Sequence, residues 1–399
     1  MKAIRYGGAV TGFGELWAIM KSVVKSTFTR QWQAGEEAKK FEQELADYVG
    51  TKHAILTTSG SCAGLLALSA LELEKGSEVI IPAVTFPTIF NIIVQCGLVP
   101  VVADVEIGTY NLDLEKLERA ISPKTKAIIA VHAVGNPANV PEIMEIAKRH
   151  NLIVLEDNCD GLGSEIGGKK VGSFGDISFT SLHAAHIVSM GVGGAIFTDS
   201  DELARNVRMY RDWGRQAEID NKWNGGKWPE LPADQDARFI YEKIGYNFQI
   251  LELQAAMGRV QLRKIQDIKN KRQTAFNVLY VALSKYEDLI LPKWQENADV
   301  CWFSFPLSTR GDRTRLLLHL ENCGIETRSM FSGRIDRHPA YKNVEMRVAD
   351  ATNADWILEH SFWISCHPSL TSRDIKRIIR TFDEYYASAP TDNTNRADQ

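Results

Sequence analysis

Between residues 50 and 210, short apolar runs alternate with segments whose apolar positions recur every three or four residues. The runs cover 78–84, 99–105, 126–134 and 152–157, each rich in Val, Ile or Ala, and a further strand ends near Thr57. Runs that are apolar at nearly every position predict strands buried on both faces, since half-buried strands alternate with polar positions. Helical patterns occupy 61–73, 112–121 and 140–150. Strands and helices in this alternation predict a mostly parallel sheet with right-handed crossovers. Ligands in such sheets sit beyond the carboxyl ends of the strands, so chemistry is expected just after each run.

Beyond residue 200 the pattern changes. Residues 201–214 read as a helix and 216–236, polar and rich in Gly, Trp and Pro, as a long loop. A helical period runs over 252–270 and continues to about 285, and mixed patterns up to 386 predict an α+β unit. The expected division is a large α/β domain over 1–265, including the N-terminal segment, a small α+β domain over 266–387, and a disordered polar tail over 388–399.

Charge and composition narrow the class. The 46 basic and 50 acidic side chains give a net charge of −4, which argues against a nucleic-acid or anionic-membrane partner. No apolar run approaches the roughly 20 residues that span a bilayer, and the first residues lack a signal-peptide core, so a cytoplasmic protein is expected. The six cysteines are scattered and none has CxC or CxxC spacing, which excludes a local cysteine metal or redox motif.

Three segments could carry chemistry. Residues 58–64 (TSGSCAG) join a strand to an apolar helix, and backbone N–H groups at such a helix start, with Gly60 and Ser61, form an anion site; an ordinary N-cap turn has the same sequence. Glu156 and Asp157 end an apolar strand, followed by Asp160. A buried acid there stays ionised only beside a cation, and a protonated pyridine nitrogen is one such partner; a helix N-cap is the plainer alternative. Residues 181–186 (SLHAAH) run into a Gly-rich turn at 191–194. His183 and His186 have no carboxylate or Cys at metal-ligand spacing, so no metal is assigned, and a satisfied buried imidazole is the plainer reading of each.

In this order and spacing the three segments resemble the DegT/DnrJ/EryC family of sugar aminotransferases and dehydratases. The resemblance extends from Phe41-Glu42-Gln43-Glu44-Leu45-Ala46 through Asp104, Gly135-Asn136-Pro137 and 172–176 (GSFGD) to Gly245-Tyr246-Asn247-Phe248 and Gln254-Ala255-Ala256. It implies a PLP-dependent transferase fold of the aspartate aminotransferase type (type I), a large mostly parallel-sheet domain plus a smaller C-terminal α+β domain. It also implies that Gly60, Ser61 and Ser181 hold the cofactor phosphate, Phe86 stacks on the pyridine ring, and Asp157 pairs with the pyridine nitrogen. Asp160 and His183 complete the cofactor set, and Asn247 reaches across from the partner subunit of a homodimer.

At His186 the family's aminotransferases carry the Lys that forms the Schiff base. Imidazole cannot form one, but it moves protons near neutral pH. The exchange resembles that in the pyridoxamine-phosphate (PMP) dependent sugar 3-dehydratases, and the pattern of the CDP-4-keto-6-deoxyglucose enzyme is echoed in Arg211-Asp212-Trp213-Gly214-Arg215 and Ile325-Glu326-Thr327-Arg328. That subfamily carries a [2Fe–2S] cluster whose ligand positions here are Cys159, Ala217, Ile219 and Lys227, so no cluster is expected. The resemblance then implies a nucleotide-sugar substrate in deoxysugar biosynthesis, of O-antigen or secondary metabolites, and glutamate as amino donor. Arg215, Arg328, Arg334 and His338 are candidates to bind the substrate. Two other readings stay open: a different PLP/PMP step, such as an aminotransferase half-reaction or a deamination, and a non-catalytic ligand-binding homologue.

Overall fold

A computed structural model describes residues 3–216 and 223–388. The tail expected at 388–399 therefore lies outside the described residues, apart from Ser388 at the end of the last helix, and so do Ala217 and Ile219. The predicted runs form strands β1 (His53–Thr57), β2 (Glu78–Pro82), β3 (Val99–Ala103), β4 (Thr125–Val131) and β5 (Ile153–Asp157). Strand β4 stops short of the predicted residue 134 because Val134 takes a left-handed φ of 50° inside a tight turn. Between and around them lie helices α1 (Phe13–Thr29), α2 (Glu36–Val49), α3 (Gly60–Ala70), α4 (Pro87–Gln95), α5 (Leu114–Arg119), α6 (Val140–His150) and α7 (Asp201–Arg211). The helical period predicted across 252–270 is broken at Arg263 and Lys264, giving α8 (Glu252–Leu262) and α9 (Ile265–Leu283).

The main sheet runs β1, Gly194–Thr198, Ile177–Ser181, β5, β4, β2, β3 and the edge pair Arg347–Val348. From Ile177–Ser181 to the edge, neighbours are parallel. Gly194–Thr198 is antiparallel to both of its neighbours. Alternation within each strand sends side chains to two cores. Val79, Ile81, Ile129 and Leu155 join the core beneath α2, α3 and α4, whereas Ile80, Ile128 and Val154 meet α5 and α6.

A third core belongs to the C-terminal part, where an antiparallel sheet orders Leu289–Ile290, Phe305–Thr309, Ser361–Ile364 and Arg328–Ser329. Ile4 pairs with Ile325 and sits in this core, although it precedes the large-domain helices. Met330, Ile335, Tyr341 and Ala354 do the reverse and pack into the large core. Helix α1 is inverted relative to a soluble amphipathic helix. Its polar Glu15, Ser22 and Ser26 are buried against the body, and Phe13, Leu16, Trp17, Met20, Val24 and Phe28 face outward, Trp17 at 60% and Phe28 at 84% exposure.

Candidate active site

The carboxyl ends of β4, β5 and Ile177–Ser181 open into a cavity of about 390 Å³, the place the parallel-sheet rule designates. Eight of the expected residues line it: Gly60, Ser61, Phe86, Asp157, Asp160, Ser181, His183 and His186. Each is placed by a simple local rule. Ser59 caps α3, its hydroxyl accepting from Cys62 N–H (3.0 Å). The first intrahelical bond shown is Ala63 N–H to Ser59 O (2.9 Å), which leaves the Gly60 and Ser61 N–H groups at the mouth of the helix. Gly60 is required there, because a Cβ would stand 2.5 Å from Ser181 Cβ.

Glu156 and Asp157 are adjacent, so the pleat turns them to opposite faces and gives them different tasks. Glu156 is fully buried and accepts from the N–H groups of Gly172, Phe174 and Gly175, each at 2.7 Å. It also meets His132 Nε2 at 3.1 Å, while His132 Nδ1 accepts from Ala138 N–H, so Nε2 is the ring donor. Burial pushes the Glu156 carboxyl up, but His132 and the backbone donors outweigh it and hold it below the usual range. Asp157 faces the cavity, with Oδ1 accepting from Cys159 N–H (3.0 Å), and no ion pair to it is formed among the described residues. Burial pushes its carboxyl above the usual range, and the charge of Asp160 adds to the effect.

His186 stands 3.4 Å through Nε2 from Asp160 Oδ1, and its Nδ1 is buried without a hydrogen-bond partner. Its ring lies 5.6 Å from that of Phe303, which meets Trp363 edge-on at 6.1 Å. Opposite, Phe86 is 59% exposed within the cavity wall at the N-cap of α4. Ser61 Oγ is 2.7 Å from Thr88 Oγ1, which joins the starts of α3 and α4. No lysine lines the cavity among the described residues.

The remaining expected residues lie elsewhere. Asn247 is exposed and bridges to Asp212, and Arg215 bridges to Tyr241 on the same lobe, its guanidinium 5.3 Å from the Trp213 ring. Arg328 lies 4.4 Å over the ring of Tyr6, which lines the cavity, so this side chain adjoins the rim. Arg334 is buried with its charge met by Asp336 (2.7 Å) and Asp355 (2.9 Å), which leaves little positive charge for a substrate. His338 is exposed and its Nε2 lies 2.8 Å from Ser332 O. Cys159 lines the cavity, and Lys227 sits 3.8 Å from Glu242. His132, Tyr6, Phe303 and Trp363 also line the cavity without a signal of their own in the sequence, and Phe331, part of a Phe331-Ser332-Gly333 echo of the dehydratase pattern, lines it too. His132 lies inside the predicted run 126–134 and reaches a strand end only because β4 stops at Val131. Tyr6, Phe303 and Trp363 come from distant parts of the chain and carry no local signal.

These residues fit a phosphorylated pyridine. Asp157 is a buried carboxylate with no ion pair among the described residues, the α3 start offers open N–H groups beside Ser181, and Phe86 adds an aromatic side chain to the same cavity wall.

The whole chain resembles known proteins. It is 38% identical to the lipopolysaccharide biosynthesis protein RfbH of Salmonella typhimurium, covering 95% of this chain and 91% of that one. It is also 38% identical to the dTDP-4-dehydro-2,6-dideoxy-D-glucose 3-dehydratase of Saccharopolyspora spinosa, covering 97% and 87%. Among solved structures, a GDP-4-keto-6-deoxymannose-3-dehydratase with a trapped PLP-glutamate geminal diamine superposes with a TM-score of 0.85 at 27% identity, covering 95% and 99%. The fold is that of the PLP-dependent aminotransferases. The model of the DegT/DnrJ/EryC1/StrS aminotransferase family matches residues 17–383, and the chain belongs to that family.

Proposed function

We propose that the chain is a PMP-dependent 3-dehydratase of a nucleotide-linked 4-keto-6-deoxyhexose, acting as a homodimer without an iron–sulfur cluster. The observation that carries this reading is His186, which occupies the Schiff-base position of the family resemblance and faces a cavity lined by no lysine among the described residues. Relatives named as 3-dehydratases support it.

The bound cofactor supplies an amine for the sugar ketone and a ring that withdraws electrons. The Gly60 and Ser61 N–H groups and the Ser181 hydroxyl bind its phosphate. Asp157 holds the pyridine nitrogen protonated, and Phe86 covers the ring. His186 would carry the proton that the cofactor's chemistry frees to the departing C3 hydroxyl, while Asp160 orients the imidazole. The aromatic wall of Phe303, Phe331 and Trp363 excludes water. Arg328, paired with Glu326 and stacked on Tyr6 at the rim, would meet the substrate's diphosphate. Glutamate regenerates the amine form, a role supported by the PLP–glutamate adduct of the GDP-sugar relative.

The dimer is supported by the apolar face of α1 and by the 239–247 lobe, where Ile244 is 97% exposed beside Asn247. Patches of this kind mark interfaces. Replacing His186 by Lys tests the chemistry: the variant should stop dehydrating and form a covalent, borohydride-reducible adduct with pyridoxal phosphate. Dehydration at the wild-type rate in this variant would remove His186 from the mechanism.

A further inference from the structure

We propose a second site, on the small domain, that binds a zinc-class divalent cation through His319, Cys323 and Glu384. One ring nitrogen of His319, the Cys323 thiol sulfur and a Glu384 carboxylate oxygen lie within 4.8 Å of one another. The arrangement follows from the helices. His319 lies in helix Arg313–Asn322 and Cys323 at its C-cap, an i, i+4 pair on one face, and Glu384 comes from the facing helix Ser372–Ser388. A helix carboxyl end carries partial negative charge, which favours a cation.

One ring nitrogen of His319 is held by the backbone. Its Nε2 lies 3.1 Å from Thr381 O. A carbonyl oxygen only accepts, so Nε2 carries the proton and Nδ1 presents its lone pair. A backbone carbonyl behind the ring is the usual support of a ligating histidine. The donor set selects the metal: one imidazole, one thiolate and one carboxylate suit Zn²⁺, Co²⁺ or Cd²⁺, and the sulfur disfavours Mg²⁺ and Ca²⁺. Binding releases the thiol proton to solvent, and the two remaining anionic ligands balance the dication. His319 also lines a cavity of about 470 Å³ that shares no residue with the active site. The competitor is Arg380, whose Nε lies 3.4 Å from Glu384 in an exposed pair of the kind worth little. The bound ion would staple two helices of the small domain while leaving the catalytic cavity untouched.

The test uses Co²⁺ added to the PMP-loaded enzyme, which keeps the active-site imidazoles occupied. One equivalent per chain should give a thiolate-to-cobalt charge-transfer band that Zn²⁺ abolishes. Cys323→Ala should lose the band, and Glu384→Gln should weaken binding by about tenfold or more. If a variant fails to fold, alkylation mapping on the wild type decides: Zn²⁺ should slow iodoacetamide labelling of Cys323 at least tenfold. No band in the wild type, a band that survives in folded Cys323→Ala, or unchanged labelling of Cys323 would each overturn the assignment.

Discussion

Replacing Gly60 by Ala isolates the phosphate cradle from the rest of the site. The added Cβ would stand 2.5 Å from Ser181 Cβ, 3.0 Å from its Oγ and 3.1 Å from its Cα. Carbon atoms prefer about 3.5–4.0 Å, so the overlap is roughly 1 Å, against atoms anchored in the middle of a buried sheet. The helix start must retreat by a similar distance. Overpacking of this size costs about 1–3 kcal/mol in stability. The effect on binding is separate: a retreat of roughly 1 Å carries at least one of the two N–H groups out of hydrogen-bonding range of a phosphate. Each bond to a charged group is worth about 1.5–3 kcal/mol. Losing one of them lowers PMP affinity about ten- to hundredfold. Equilibrium titration of cofactor fluorescence reads the affinity, and thermal unfolding of the cofactor-free protein reads the packing cost. Ser61→Ala, which removes only a hydroxyl, should lose less than Gly60→Ala. Wild-type PMP affinity in a folded Gly60→Ala would show that the phosphate does not sit at the start of α3.

Asp157→Asn should act with opposite signs in the two forms. Burial raises the folded-state pKa of Asp157, so its ionised form penalises the cofactor-free protein at neutral pH. The variant should therefore melt higher without cofactor, yet bind PMP more weakly because the pyridinium loses its anion; a lower melt without cofactor would contradict the first half. Glu78 behaves in the other direction. Arg347, at 3.0 and 2.6 Å, holds its carboxyl down to about 2 from 4.5. The stability it contributes is present above about 4.5 and fades as pH falls towards 2, so the gap between wild type and Glu78→Gln in denaturant melts should shrink across that window. Trp17→Glu on the outward face of α1 should shift sedimentation from dimer to monomer and lower activity with it, and a fully active monomer at micromolar concentration would exclude the proposed interface.

The sheet was legible because burial on both faces writes itself as continuous Val and Ile runs, and β2, β3 and β5 begin within a residue of their predicted starts. The break at Arg263 and Lys264 was not, since the apolar period carries across it and neither residue is a Gly or Pro that would mark a helix end. Return of the chain to the large core at 330–357 was equally silent, because the edge pair Arg347–Val348 is too short to show a period. In the site, residues on strand ends and helix starts were readable from local chemistry. The aromatic wall was hidden, since Phe303 and Trp363 look like core positions and acquire their role only when the C-terminal strands pack against the main-sheet core. Arg334 shows the converse: its pairing with Asp355 cannot be read from spacing.

The central claim is that this site expels water where a lysine-bearing relative would install an amine. Mass spectrometry of the sugar decides it. The enzyme, PMP and glutamate, with no reductase, are incubated with CDP-, GDP- and dTDP-linked 4-keto-6-deoxyhexoses. The account predicts that hydrogen replaces the C3 hydroxyl, a net loss of one oxygen from the sugar, with the carbonyl at C4 retained and one 2-oxoglutarate and one ammonium formed per product. A product that keeps its C3 hydroxyl and carries an amine at C4 would contradict it.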